Sequence, residues 1–237
     1  MSVTTEERPT AQRSQRSALL VLGAVALLVV GFAVGFLAQT PLRDDPAPTP
    51  GADSVDVGFS QDMTVHHNQA IEMATIALGG ASDPLVKNLA YDILTTQQNQ
   101  VGQMQGWLAL WDAAPLPTGG YMGWMTEDGG HSMSGSSMSS MSGAGSDSST
   151  GPVQTMPGMA STQDMTALRG ATGPALDVLF LQLMLRHHEG GLPMMEYGAV
   201  HAQTPAVRNL AQTMVNTQTS EAQLMTQMLT EKGAAPL

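Results

Sequence analysis

Two histidine pairs carry the chemistry that can be read from this chain. His66-His67 and His187-His188 each follow a methionine at three residues, Met63 and Met184, and each precedes another, Met73 and Met194. Imidazole ligates copper, zinc, iron and nickel, and a thioether three residues away on a helix shares its face with a rise of about 4.5 Å. One ion could be held by both groups. Met73 and Met194 lie about 10.5 Å further along the axis, where they would form a second layer or simply pack. In a chain with 18 methionines and no cysteine, imidazole and thioether together make a soft donor set suited to Cu(I) and, by the same softness, to Ag(I). Duplicated core histidines, each satisfied by a hydrogen bond, are the competing reading.

The pairs sit inside an internal repeat. Residues 56–108 and 177–229 superimpose at a constant offset of 121 positions, matching Asp56 with Asp177, Phe59 with Phe180, Pro84 with Pro205, Gln97 with Gln218 and Met104 with Met225. A repeat unit that cannot bury its apolar face alone needs its neighbour, so the two copies form one domain. Apolar residues recur at helical spacing from Val55 to Leu78, behind Asp53 or Ser54 as N-cap, and Gly79-Gly80 ends the run. A second helix opens at Pro84, a third at Pro174 and a fourth at Pro205, with a short helix behind a Ser161–Asp164 capping box. Two hairpins with apolar stripes predict an all-α fold, a four-helix bundle. Hairpin register sets Gln97 opposite His66 and Gln218 opposite His187, where each amide would fix the ring nitrogen that a metal leaves free.

The remaining segments divide by composition: a polar tail (1–17), an apolar run (18–38), a Pro-rich spacer (39–54), the first hairpin (55–112), a Gly/Ser/Met-rich connector (113–160), and the short helix with the second hairpin (161–232). The run from Ala18 to Ala38 is uncharged and long enough to cross a bilayer. Arg8, Arg13 and Arg16 precede it and Arg43, Asp44 and Asp45 follow, which predicts a single-pass anchor with a cytoplasmic N-terminus and an extracytoplasmic bundle. A cleaved signal peptide is the alternative. The connector is expected to be loosely ordered, and its Met122, Met125, Met138, Met141, Met156 and Met159, with His131, are auxiliary ligands for a soft ion or the product of compositional drift.

The net charge of -11 argues against nucleic acid and anionic lipid as partners and is compatible with cations. No Glu-x-x-His pair of the di-iron bundles, G-x-S-x-G elbow or phosphate-binding P-loop occurs. A binding protein rather than an enzyme is therefore expected, with a metal ion, the membrane and a copper-handling protein as partners. A structural or protein-contacting bundle without metal is the alternative, and a ferritin-like redox enzyme is the weaker one. Oligomeric state is not legible.

Phe59-x-x-x-Met63-x-x-His66-His67-x-Gln69-Ala70-Ile71-Glu72-Met73-Ala74, Phe180-Leu181-x-x-Met184-x-x-His187-His188-Glu189-Gly190-Gly191, and Met156-Pro157-Gly158-Met159 between them resemble the family known as domain of unknown function 305. The resemblance implies a ferritin-like four-helix bundle, generally exported, whose relatives bind copper or silver through methionine and histidine. By motif match those roles fall on Met63, His66, His67, Met73, Met184, His187, His188 and Met194. Copy two has Gly190-Gly191-Leu192-Pro193 where copy one has Gln69-Ala70-Ile71-Glu72, and this divergence predicts that one site is degenerate.

Overall fold

The computed structural model describes the backbone of residues 12–39, 49–125 and 152–237. Six helices are described: α1 (Gln12–Gln39), α2 (Val55–Gly80), α3 (Pro84–Leu110), α4 (Thr162–Gly170), α5 (Gly173–His201) and α6 (Pro205–Glu231). No strand occurs among the described residues; Tyr121 and Val153 form an isolated antiparallel bridge. Residues 1–48 and 49–237 are separate compact units. In the first, α1 contains Ala18–Ala38, a helix long and apolar enough to cross a membrane.

The second unit is the four-helix bundle. Its helix ends follow local chemistry: the Ser54 side chain accepts from the Val57 N–H at the start of α2, and Asp83 accepts from Leu85 at the start of α3. Pro84 and Pro205 occupy the first helical turns, where a missing N–H costs nothing. Ser161 and Asp164 close the expected reciprocal box at α4. Helices α2 and α3 pack as one hairpin, α5 and α6 as the other, and the hairpins meet along α2 and α5.

A reciprocal bond locks the copies together. Asp56, buried near the start of α2, accepts from the backbone N–H groups of Gln203 (2.8 Å) and Thr204 (2.7 Å), at the turn before α6. Asp177, its repeat equivalent on α5, accepts from Ser82 N–H (2.8 Å), Asp83 N–H (3.1 Å) and the Ser82 hydroxyl (2.6 Å), at the turn before α3. Each copy thus satisfies the orphan donors at the other's helix start, and each carboxylate sits near the positive end of a helix dipole.

The core divides into two clusters. One holds Met73, Met184, Met225 and Met228 with Ile93 and Phe180; the other holds Met63, Met104, Met194, Met195 and Met214 with Phe59. Copies therefore exchange methionines: Met63 of copy one packs in the cluster of Met194 of copy two, and Met184 in that of Met73. Antiparallel meeting of α2 and α5 is the reason, since advancing seven residues on one helix means retreating along the other. The four histidines stand between the clusters along both helices.

Bonds from an ionised carboxylate to backbone N–H are each worth about 1.5–3 kcal/mol. Asp56→Ala and Asp177→Ala are each expected to lower unfolding free energy by at least that much, measured by urea denaturation followed by circular dichroism. The two losses should be of similar size.

Candidate metal centre

Adjacent residues on a helix point about 100° apart, so a His-His pair must address two different neighbours. His66 and His187 face one another across the α2–α5 contact, with ring centroids 3.8 Å apart and planes inclined by 36°. His67 and His188 turn toward their own hairpin partners. The His67 Nε2 lies 2.8 Å from the Gln100 Oε1 on α3, and the His188 Nε2 lies 2.7 Å from the Glu221 carboxylate on α6. Gln100 and Glu221 are equivalent positions of the repeat. All four imidazoles are fully buried.

This corrects the expected register. Gln97 and Gln218 are buried near the same level, but neither amide has a hydrogen-bond partner, and the bonds to His66 and His187 are not made. The residue that meets histidine lies one helical turn further on, and it meets the second histidine of each pair rather than the first. A Gln and a Glu at matched repeat positions were the available sequence signal.

The hydrogen bonds place a hydrogen on the same nitrogen throughout. His187 Nε2 is 3.1 Å from the His66 carbonyl oxygen and His66 Nε2 is 3.4 Å from that of Pro157. A carbonyl or carboxylate oxygen can only accept, so Nε2 carries the hydrogen in His66, His187 and His188; Gln100, which presents its oxygen, makes His67 the fourth. The Nδ1 atom of every ring is buried and without a hydrogen-bond partner. Burial holds the His66 imidazole down to about 3, reinforced by His67, and the His67 imidazole down to about 4. Burial also puts His187 well below its ordinary value, with His66 the next cause.

A strap closes the site. The connector expected to be loose is ordered at both ends. Asp62 on α2 accepts from the Met122 N–H (2.6 Å) and the Trp124 indole (2.8 Å), and Trp124 lies against Gly58. Burial raises the Asp62 carboxyl above the ordinary carboxylate range, partly offset by these two bonds. On the other side of the Tyr121–Val153 bridge, Met156–Ala160 runs over the histidines. Gln69 grips Ala160 through both amide atoms, accepting at 2.6 Å and donating at 2.9 Å. Gly158, at φ +78°, lies against Gly190, where a Cβ would fall on the Gly158 backbone; a Cβ on Gly191 would come within 2.9 Å of the His66 ring. The Gly-Gly divergence of copy two therefore makes room for the strap and for the facing imidazole. The strap also breaks the pseudo-symmetry, because His66 bonds to Pro157 instead of returning the bond that His187 makes to the His66 carbonyl.

The predicted ligands fall as follows. His66, His67, His187 and His188 form one buried layer, flanked by Met63 and Met194 on one side and Met73 and Met184 on the other. Met156 is buried, and Met122, Met125 and Met159 are half-buried against the Met63 cluster. His131, Met138 and Met141 lie outside the described residues. Among the described residues no three His, Asp or Glu side chains assemble into a group that could hold a metal ion. Sequence reasoning gave no role to Asp62, Gln100 or Glu221, and none to Gln69 beyond its place in the motif, since a polar residue on a mostly apolar helix face does not say which distant group it meets.

Fold and site together define a duplicated helical-hairpin bundle with a buried histidine layer. The chain belongs to the DUF305 family, the domain of unknown function 305, which matches residues 56–229. It is similar to a family member from Streptomyces coelicolor predicted to be secreted, at 37% identity over 79% of this chain and 99% of the other, with a TM-score of 0.66. A DUF305 fragment from Deinococcus radiodurans matches at 27% identity, 77% and 99% coverage and a TM-score of 0.55. The Cu(I)-bound form of CopM shares the fold at 23% identity, 74% and 96% coverage and a TM-score of 0.51; CopM structures with Cu(II) and silver also match. No curated protein matches the chain.

Acid should weaken the bundle. Between pH 6.5 and the depressed values of His66, His67 and His187, the unfolded chain takes up protons that the folded chain refuses, so stability present above 6.5 is lost as pH falls. His66→Gln should reduce that slope by about 1.4 kcal/mol per pH unit, read from urea unfolding at pH 5 and 6. Gly190→Ala should displace the strap at a cost of about 1–3 kcal/mol, visible as changed Trp124 fluorescence in a Trp107→Phe, Trp111→Phe background.

Proposed function

We propose that this protein is a membrane-anchored, extracytoplasmic metal-binding protein that buffers or carries Cu(I), and Ag(I) by the same chemistry, through histidine and methionine. The supporting observation is the common arrangement of the four imidazoles: each holds its Nε2 hydrogen on an oxygen and keeps a buried, unpartnered Nδ1. A second partner that fixes the tautomer is what metal-ligating histidines require.

Donor chemistry narrows the metal. The layer offers imidazole nitrogens rather than a cluster of carboxylates: among the described residues no three His, Asp or Glu side chains are grouped. Thioethers on both flanks of the histidine layer supply the soft donors that Cu(I) accepts. The copper- and silver-bound forms of CopM are consistent with this cargo. The flanking charges of Ala18–Ala38 favour an anchor that leaves the bundle outside the cytoplasm. The residues of the layer bind and orient an ion; we assign them no catalytic step.

The test is anaerobic titration of the full chain in detergent with Cu(I) against a chromophoric chelator, with Zn(II) and Fe(II) alongside. Saturable Cu(I) binding, weakened at least tenfold by His66→Ala with His187→Ala while helicity is kept, is the expected outcome. Undiminished binding in the double variant would move the site to the connector, and no competitive binding would leave a bundle that contacts other proteins.

A further inference from the structure

The two halves of the histidine layer are built to the same plan but differ in charge at one atom pair. His67 donates its Nε2 hydrogen to a neutral amide, Gln100, whereas His188 donates to a carboxylate, Glu221. The contacts are otherwise matched: both span 33 residues and run from α2 to α3 or from α5 to α6 at 2.8 and 2.7 Å. Both histidine side chains are buried, and the Glu221 side chain is only 15% exposed. Among the described residues, Glu221 is the carboxylate that bonds one of the four imidazoles. Asp62, a buried acid four residues before His66 on α2, makes its bonds to Met122 and Trp124 instead.

We propose that Glu221 is a positioning residue that makes the second half of the layer the tighter cation site, and that Gln100 leaves the first half weaker. The inference rests on the metal-binding reading above. Two effects act in the same direction. A carboxylate accepting the Nε2 hydrogen draws that proton toward itself and enriches the electron density at Nδ1, the atom left for a metal. Burial of a cation in this layer is also opposed by desolvation, the effect that keeps the neighbouring imidazoles from taking a proton. Glu221 supplies compensating negative charge at His188, and Gln100 supplies none at His67. The difference grows with the charge of the ion, so the second half should also favour Cu(II) relative to Cu(I) more than the first.

Each residue occurs naturally at the equivalent position of the other copy, so the exchange is its own control. The full chain in detergent, as wild type, Glu221→Gln, Gln100→Glu and the double exchange, is titrated with Cu(I) and with Cu(II). In parallel, ring ¹⁵N shifts of His67 and His188 are recorded without metal and during the titration. Wild type should fill His188 before His67. Glu221→Gln should weaken the His188 half at least tenfold, Gln100→Glu should strengthen the His67 half, and the double exchange should invert the filling order. A purely structural role for Glu221 predicts no gain from Gln100→Glu. Simultaneous filling in wild type, or metal binding that the exchanges leave unchanged, overturns the assignment while leaving the metal-binding reading intact. Absence of Cu(I) binding in wild type overturns both.

Discussion

Everything in this bundle depends on giving each of four buried imidazoles a hydrogen-bond acceptor. His66 and His187 meet ring to ring at the contact between the hairpins, so the surface that joins the copies is also the surface that carries the candidate ligands. Apolar stripes alone would close such a contact with leucine or methionine. Polar rings at its centre require hydrogen-bond acceptors at fixed places, and each is found: a backbone carbonyl from the facing helix, a strap carbonyl, an amide and a carboxylate. Because those acceptors all engage Nε2, the unused chemistry of the layer is concentrated on one type of atom.

Duplication supplies the frame and its breakage supplies the site. The reciprocal bonds of Asp56 and Asp177 preserve the symmetry, each copy ending the other's exposed N–H groups. Two departures depart from it. Gly190-Gly191 removes side chains where the facing copy keeps Gln69-Ala70, and the strap fills that space while Gln69 holds its end. Glu221 puts a charge where copy one keeps an amide. Both changes lie within contact of the histidines, whereas the Asp pair at the bundle's ends is unchanged.

The strap also alters what the connector means. Met156 and Met159 are not loose donors, since the turn at Gly158 seats them against the bundle, with Met122 and Met125 brought beside the same cluster through Asp62. Methionine adapts to irregular gaps, so packing and soft-ligand chemistry are both open to these side chains in a way that leucine would not allow.

Sequence by itself determined the four bundle helices, their starts and the pairing of copies, and it nominated the candidate ligands, because helical period, N-cap chemistry and a gapless repeat are local or self-comparing signals. Ser54, Asp83 and the Ser161–Asp164 box stand where short-range hydrogen bonding requires them. Only the tertiary structure decided which partner each histidine takes. The rotation of α3 and α6 about their axes is set by packing over the whole hairpin, and one turn of error moves the partner from Gln97 to Gln100. The crossing of methionines between copies likewise follows from the antiparallel meeting of α2 and α5. The purpose of Gly190-Gly191 follows from a strap more than thirty residues away in the chain, whose approach no local pattern records.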